Sequence, residues 1–280
     1  MTQPSNRTTA FALITLGLLM AVSSILGPLV LGLVRFHTSG PAITQLVGGD
    51  VVTLLIVAPT AILAGILWLR DSPLAPPLAL GPAVYALYTY VQYIIGPEYA
   101  RYPGNSEYFI PLYILLVILS WTTGVSAWRR LTSTALPRIE PGLQRALGAL
   151  MLLVNLIFAL AWLASIAAVL TGRHPPEYEM DQTLFWVVRL MDLGFVIPAS
   201  FIVAVGLLCR TRRATRLAYG FLGFQTLIVA AVAGMAVMMT VRDDPSASAV
   251  LIAVSSLMAV ALTGMFLALL RRLAPAPSAA

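Results

Sequence analysis

Apolar residues run through this chain in eight stretches, at about 11–34, 47–69, 74–96, 108–128, 146–171, 183–209, 217–240 and 247–270, joined by short polar connections. The runs are continuous. ALMLLVNLIFALAWLASIAAVL cannot be laid on the two-residue period of a barrel strand. Each run is about 20 residues or longer, the length a helix needs to cross a hydrocarbon core of about 30 Å. Lipid supplies no partner for free backbone groups, so a lipid-embedded run must be helical. The pattern predicts an all-α polytopic transmembrane bundle of eight spans, one membrane domain over residues 1–280 with a disordered tail at 273–280. The second and third runs are separated only by RDSPLAPP, whose arginine, aspartate and three prolines break the helix. The first run has 24 residues. It exceeds the roughly 7–15 residues of a signal-peptide core and reads as a span.

Composition agrees. Of 280 residues 59% are hydrophobic and 10% charged, with mean hydropathy +0.90; a soluble domain carries about 25% charged residues. All 17 basic residues are arginine, and most lie in connections on one side. With the N-terminus inside, inner segments hold twelve arginines, outer loops hold Arg35, Arg101, Arg173 and Arg242, and Arg189 lies within a span. That bias predicts cytoplasmic N- and C-termini. The net charge of +6 is therefore assigned to anionic headgroups, with no nucleic-acid partner. The absence of lysine excludes a retinal Schiff base or a catalytic lysine. A single cysteine, Cys209, excludes an internal disulfide and is read as a buried thiol or a palmitoylation site.

The chain also shows a weak internal match. DVVTLLIVAPTAILAGILWLR aligns with RLMDLGFVIPASFIVAVGLLC at an offset of 139 residues, with eight identities between positions 50 and 91, Pro59/Pro198 and Gly81/Gly220 among them. This predicts parallel half-repeats, 11–128 and 146–270, related by an axis along the membrane normal.

Ionisable groups inside a span are costly and mark sites or structural pairs. Arg189 and Asp192 lie three apart in the sixth span, so they are expected on one face as a pair. Asp50, opposite Arg189 in the repeat alignment, is either an acidic partner for it or a helix N-cap. The third span carries Tyr85, Tyr88 and Gln92 on one helical face, with Tyr90 and Tyr93 off it, and is expected to line the bundle or a cavity. These six residues, Asp50, Tyr85, Tyr88, Gln92, Arg189 and Asp192, form the candidate polar pocket. Asn155 and Gln225 are expected to bond between helices. The loop GPEYARYPGNSEYF is a solvated connection or a cap on the outer mouth. His37 and His174 have no ligand-spaced neighbour, so no metal is expected. Without a histidine inside a span no haem is expected either. The motifs HExxH, GxSxG and a lysine-ended phosphate loop are missing. No cofactor is expected, and the balance leans away from an enzyme.

The run GDVVTLLIVAP…WLRDSPLAPPLALGPAVYALYTYVQYIIG…NSEYFIPLY, with DLGFVIPASFIVAVGLL later, resembles an uncharacterised group of bacterial polytopic membrane proteins. The resemblance rests on Asp50, Pro59, Arg70-Asp71-Ser72, Tyr85, Tyr88, Tyr90, Asp192 and Pro198. It implies no activity. Three readings follow: a small-solute carrier or channel with an outward polar pocket, a non-catalytic accessory, sensor or assembly protein, or an intramembrane enzyme on a lipid-linked substrate. The expected partners are the bilayer and a solute or another membrane protein. The expected location is a bacterial inner membrane.

Overall fold

Prolines, glycines and serine caps decide where the apolar runs become helices. The computed structural model describes residues 6–133, 136–244 and 247–273. Among these are eight helices long and apolar enough to cross a membrane: α1 Asn6–Leu26, α2 Gly40–Leu69, α3 Ala75–Ile95, α4 Ser106–Ser133, α5 Pro141–Leu170, α6 Gln182–Leu208, α7 Arg212–Val241 and α8 Ala249–Arg271. The protein is a multi-pass helical membrane protein. Beyond Leu273, the tail expected at 273–280 lies outside the described residues.

Two boundaries differ most from the hydropathy pattern, the others by about five residues or fewer. The first run does not stay helical to residue 34, because α1 stops at Leu26 before Gly27-Pro28. Proline disfavours helical backbone in the residue before it. Residues 27–34 instead turn back over the bundle end, with Gly32 at φ +60°. The second run starts earlier than 47. Ser39 accepts a hydrogen bond from the Ala42 N–H, and Pro41 occupies the first turn, where its missing N–H is harmless. Asp50 is therefore the eleventh residue of α2 and no N-cap.

α2 and α6 each contain one π turn, Thr53–Val57 and Asp192–Val196. The cause is local. Pro59 and Pro198 have no N–H to donate. The residues before them, Ala58 and Ile197, bond five residues back to the carbonyls of Thr53 and Asp192. The π turns begin 139 residues apart, the offset of the sequence match. α2 and α6 end at the same spacing, and Asp71 and Arg210 beyond them both take positive φ, 52° and 57°.

α3 and α7 occupy the centre. α1 packs on α2, α3 on α4, α5 on α6 and α7 on α8, while α7 also packs on α2, α3 and α6. Glycines permit the central approaches: a Cβ at Gly48 would lie 2.5 Å from the Gly234 oxygen, and one at Gly81 would lie 3.0 Å from the Gly223 carbonyl carbon. Leu153 and Leu160 on α5, Leu257 and Val260 on α8, and Ile114 and Trp121 on α4 are exposed, as a lipid-facing surface requires.

On the face where α1 begins and α8 ends, Arg130 and Asn6 meet Asp71, and Arg272 meets Glu140. Cys209 is exposed there, which corrects the buried-thiol expectation: it follows the last turn of α6 rather than facing α5 or α7. On the far face three connections are stitched together. Arg35 N–H donates to Asn105, and Tyr102 O–H to the Met180 carbonyl. Asp181 accepts from Thr38 and from the backbone and hydroxyl of Ser39. The loop between α3 and α4 is thus a tied cap, not a free solvated connection.

Candidate functional site

The third span supplies the hydroxyls around which buried Asp50 and half-buried Asp192 are arranged. Tyr85 is buried, with its hydroxyl 2.8 Å from Thr53 Oγ1 at the start of the α2 π turn. One turn on, Tyr88 donates to Asp192 Oδ1 at 2.7 Å, at the start of the α6 π turn. Gln92 lies beside the Tyr88 hydroxyl, but its Nε2 is buried and makes no well-aligned hydrogen bond. The predicted face of Tyr85, Tyr88 and Gln92 therefore meets both π turns.

The off-face tyrosines hold the other acid. Asp50 is 2% exposed and accepts from Ser24 Oγ at 2.9 Å and from the Tyr93 hydroxyl at 3.3 Å. Tyr93 and Tyr90 pack with Tyr113, and Phe36 from the connection between α1 and α2 covers Tyr93 edge-on at 5.0 Å. Tyr88 and Tyr93 are five residues apart, so at 3.6 residues per turn they point about 140° apart around α3. Asp50 and Asp192 are therefore held from different sides of one helix.

Arg189 and Asp192 do not pair, contrary to their spacing. Both oxygens of Asp192 are taken by donors on other helices, Tyr88 and Trp162, and the long Arg189 side chain finds its anion outside the span. Arg189 instead forms an ion pair with Glu177, on the one-turn helix Pro176–Met180. Its guanidinium lies 3.5 Å from the Phe185 ring centroid and 4.3 Å from that of Trp162. Trp162 Nε1 donates to Asp192 Oδ2 at 2.7 Å. Among the described residues Asp192 forms no ion pair, and neither does Asp50. The expectation that Asp50 pairs with Arg189 is corrected on the same ground.

The six predicted residues thus fall into two centres, Asp50 on one side of α3 and Tyr88, Gln92 and Asp192 on the other, with Tyr85 between them and Arg189 above. A surface groove of about 540 Å³ is lined by Ile166, Trp186, Val187, Arg189, Leu190, Leu193 and Gly194. Of the six, Arg189 alone lines it. A second groove, about 340 Å³, lies in the far-face cap between Pro28 and Pro103 and includes none of them. Tyr93, set off the predicted face by its spacing, binds Asp50, while Ser24, Thr53, Trp162 and Glu177 complete the centres without having been singled out. An unusual tryptophan deep in an apolar run was the one usable signal. Asn155 donates to the Met151 carbonyl of its own helix at 2.7 Å and not across to another, and Gln225 Oε1 is buried without a partner.

Outside the spans, His37 bridges two connections. Nδ1 lies 2.7 Å from the Tyr102 carbonyl and Nε2 2.6 Å from Glu107 Oε2. A carbonyl can only accept, so Nδ1 carries a proton, and the carboxylate at Nε2 favours a second. Burial works against the charge, but the hydrogen bonds to Glu107 and Tyr102 outweigh it and raise the His37 pKa above its ordinary value. No group of three or more metal-ligating side chains occurs among the described residues. No family model, curated protein or solved structure matches the chain, so its functional reading rests on its own geometry.

Proposed function

We propose that this chain is a small-solute carrier of a bacterial cell membrane, built from two parallel half-repeats, with cytoplasmic termini and a polar site reached from the outer face. One observation carries this reading: Asp192 sits at the first residue of a π turn, midway along an apolar helix, and its hydrogen bonds come from the neutral donors Tyr88 and Trp162, with the Arg189 charge acting on it through space and not in contact. An intramembrane acid without a contacting cation is expensive to keep, and π turns inside α-helices often mark functional positions. Asp192 and Asp50 are each the eleventh residue of their helix, about 15 Å from its far-face end by helical rise. The shared offset of the π turns and helix ends supports duplication. The arginine bias, twelve against four, supports the orientation.

The accessory reading is favoured by a different observation: both acids already have internal partners, and neither described groove reaches them. The intramembrane-enzyme reading needs Asp50 and Asp192 to face one space, and their partners lie on different sides of α3. The deciding test is solute flux into proteoliposomes with the parent chain and with Asp192→Asn, which removes the charge, keeps one acceptor for Trp162 Nε1 and offers an N–H to which the Tyr88 hydroxyl can turn and accept. A carrier moves at least one solute, and the variant falls at least tenfold while its detergent-solubilised melting temperature holds. No flux across a broad panel, or an unaffected variant, overturns the carrier and leaves the accessory reading.

A further inference from the structure

Beyond the polar centres, one ion pair is built into a wall that faces lipid. The 540 Å³ groove runs along α6 beside α5, within the roughly 300–1,000 Å³ range of ligand pockets. Its lining is apolar except for Arg189. Trp186 and Leu190 on the same wall are 41% and 63% exposed, on the surface that a bilayer covers. Arg189 is the eighth residue of α6, so it lies about 10 Å along the helix from its far-face end. That is near the boundary between headgroups and acyl chains.

Arg189 is held but not saturated. It has five N–H donors. The structure gives it three acceptors: Glu177 to Nη2, Ser165 Oγ to Nε at 3.3 Å, and the Phe185 carbonyl to Nη1 at 3.5 Å, the last near the limit for a hydrogen bond. At least two donors remain. Glu177 is in the complementary state. One oxygen meets Arg189, and its side chain is 54% exposed. Arg189 lines the apolar groove from within its wall, only 6% exposed, and Glu177, outside the lining, sets an exposed anion beside that cation.

The geometry points to a phospholipid with a phosphoethanolamine headgroup as the occupant. Its phosphate fills the spare guanidinium donors, which suit phosphate oxygens. Its primary ammonium donates to the free oxygen of Glu177, and an acyl chain lies along Leu190, Leu193 and Gly194. The pair is neutral as a whole. A headgroup with net negative charge therefore gains little from it, whereas a zwitterion laid antiparallel to it gains at both ends. A choline headgroup has the charge but no N–H to donate to Glu177.

Trp186 reports on the groove directly. The full-length protein is reconstituted in phosphatidylcholine vesicles containing increasing fractions of lipid brominated on its chains, with ethanolamine, glycerol or choline headgroups. The Trp186 signal is obtained by difference from Trp186→Phe. Half-maximal quenching is expected at about a tenfold lower fraction of the ethanolamine lipid than of the other two, the worth of one charge-assisted hydrogen bond. Glu177→Gln should bring the ethanolamine lipid level with choline. Arg189→Gln should remove headgroup preference altogether. Gly194→Leu, whose side chain enters the groove with no close backbone obstacle, should cut quenching by all three. Equal quenching by the three headgroups, preference for the glycerol lipid, or an ethanolamine preference that survives Glu177→Gln overturns the proposal. None of these readouts depends on solute flux.

Discussion

At the scale of single residues, charge is placed by where side chains can lean. His37 makes the point outside the spans. Both its nitrogens face oxygens that accept, so the folded protein favours the imidazolium. Because its folded pKa is raised above the unfolded value of about 6.5, its contribution to stability is complete below pH 6.5. It is lost as pH climbs through the raised folded value. Melting temperature in detergent should therefore fall as pH climbs past 6.5 toward 9, and His37→Gln should flatten that dependence; an unchanged slope would exclude the His37–Glu107 bridge as its source. Inside the bundle, Tyr88→Phe removes the donor to Asp192 Oδ1. Hydrogen bonds between membrane helices are worth about 1 kcal/mol, so unfolding in mixed micelles should shift by about that amount, and a carrier should lose far more flux than stability. The acids and tyrosines of these centres were legible because polar atoms stand out in apolar runs. Their partners were not. Ser24, Trp162 and Glu177 reach the site from other helices or loops, and such meetings leave no period in the sequence. The predicted Arg189–Asp192 pair failed because spacing on one helix does not register competing partners from elsewhere: Glu177 takes the guanidinium, and Tyr88 and Trp162 take the carboxylate.

At the scale of elements, apolar length predicted every span, and local chemistry set the ends. Gly27-Pro28 cuts α1 short, and Ser39-Gly40-Pro41 starts α2 early, in both cases against a hydropathy pattern that does not register turns. The π turns were not legible. Proline signalled a disturbed helix, but nothing in the residues distinguishes a kink from a widened turn. Pro59→Ala and Pro198→Ala restore the missing N–H groups. If the widened turns serve alternation between states, each variant should keep or raise melting temperature while flux drops; unchanged flux would make the turns incidental. The central glycines behave differently. At Gly48 an added Cβ would meet Gly234 backbone at 2.5 Å, which no side-chain adjustment relieves. Gly48→Leu should cost at least about 1–3 kcal/mol, the usual penalty of overpacking. Gly264→Leu, with nothing within 4 Å, should be near neutral. Guanidine or SDS unfolding of the two variants side by side measures the contrast.

At the scale of the whole molecule, the arrangement places two kinds of surface at opposite ends of the bundle. One end, where α1 begins and α8 ends, has the Arg130–Asp71 and Arg272–Glu140 pairs and the arginines that follow α6. The other has three connections bound to one another above the two intramembrane acids. Guanidinium groups resist translocation and favour the cytosolic leaflet, so the terminal end should face the cytoplasm and the tied cap the outside. The protein carries its own reporter for this. Cys209 is the only cysteine and is exposed at the terminal end of α6. A membrane-impermeant maleimide should leave it unlabelled in intact cells and label it in inverted vesicles. In a Cys209→Ser background, Tyr108→Cys, at a position 78% exposed in the far-face cap, should show the reverse. Labelling of Cys209 from outside would invert the molecule. It would move the Arg189–Glu177 pair to the inner leaflet and make the site around Asp192 open to the cytoplasm, so the direction of any transport would have to be read the other way.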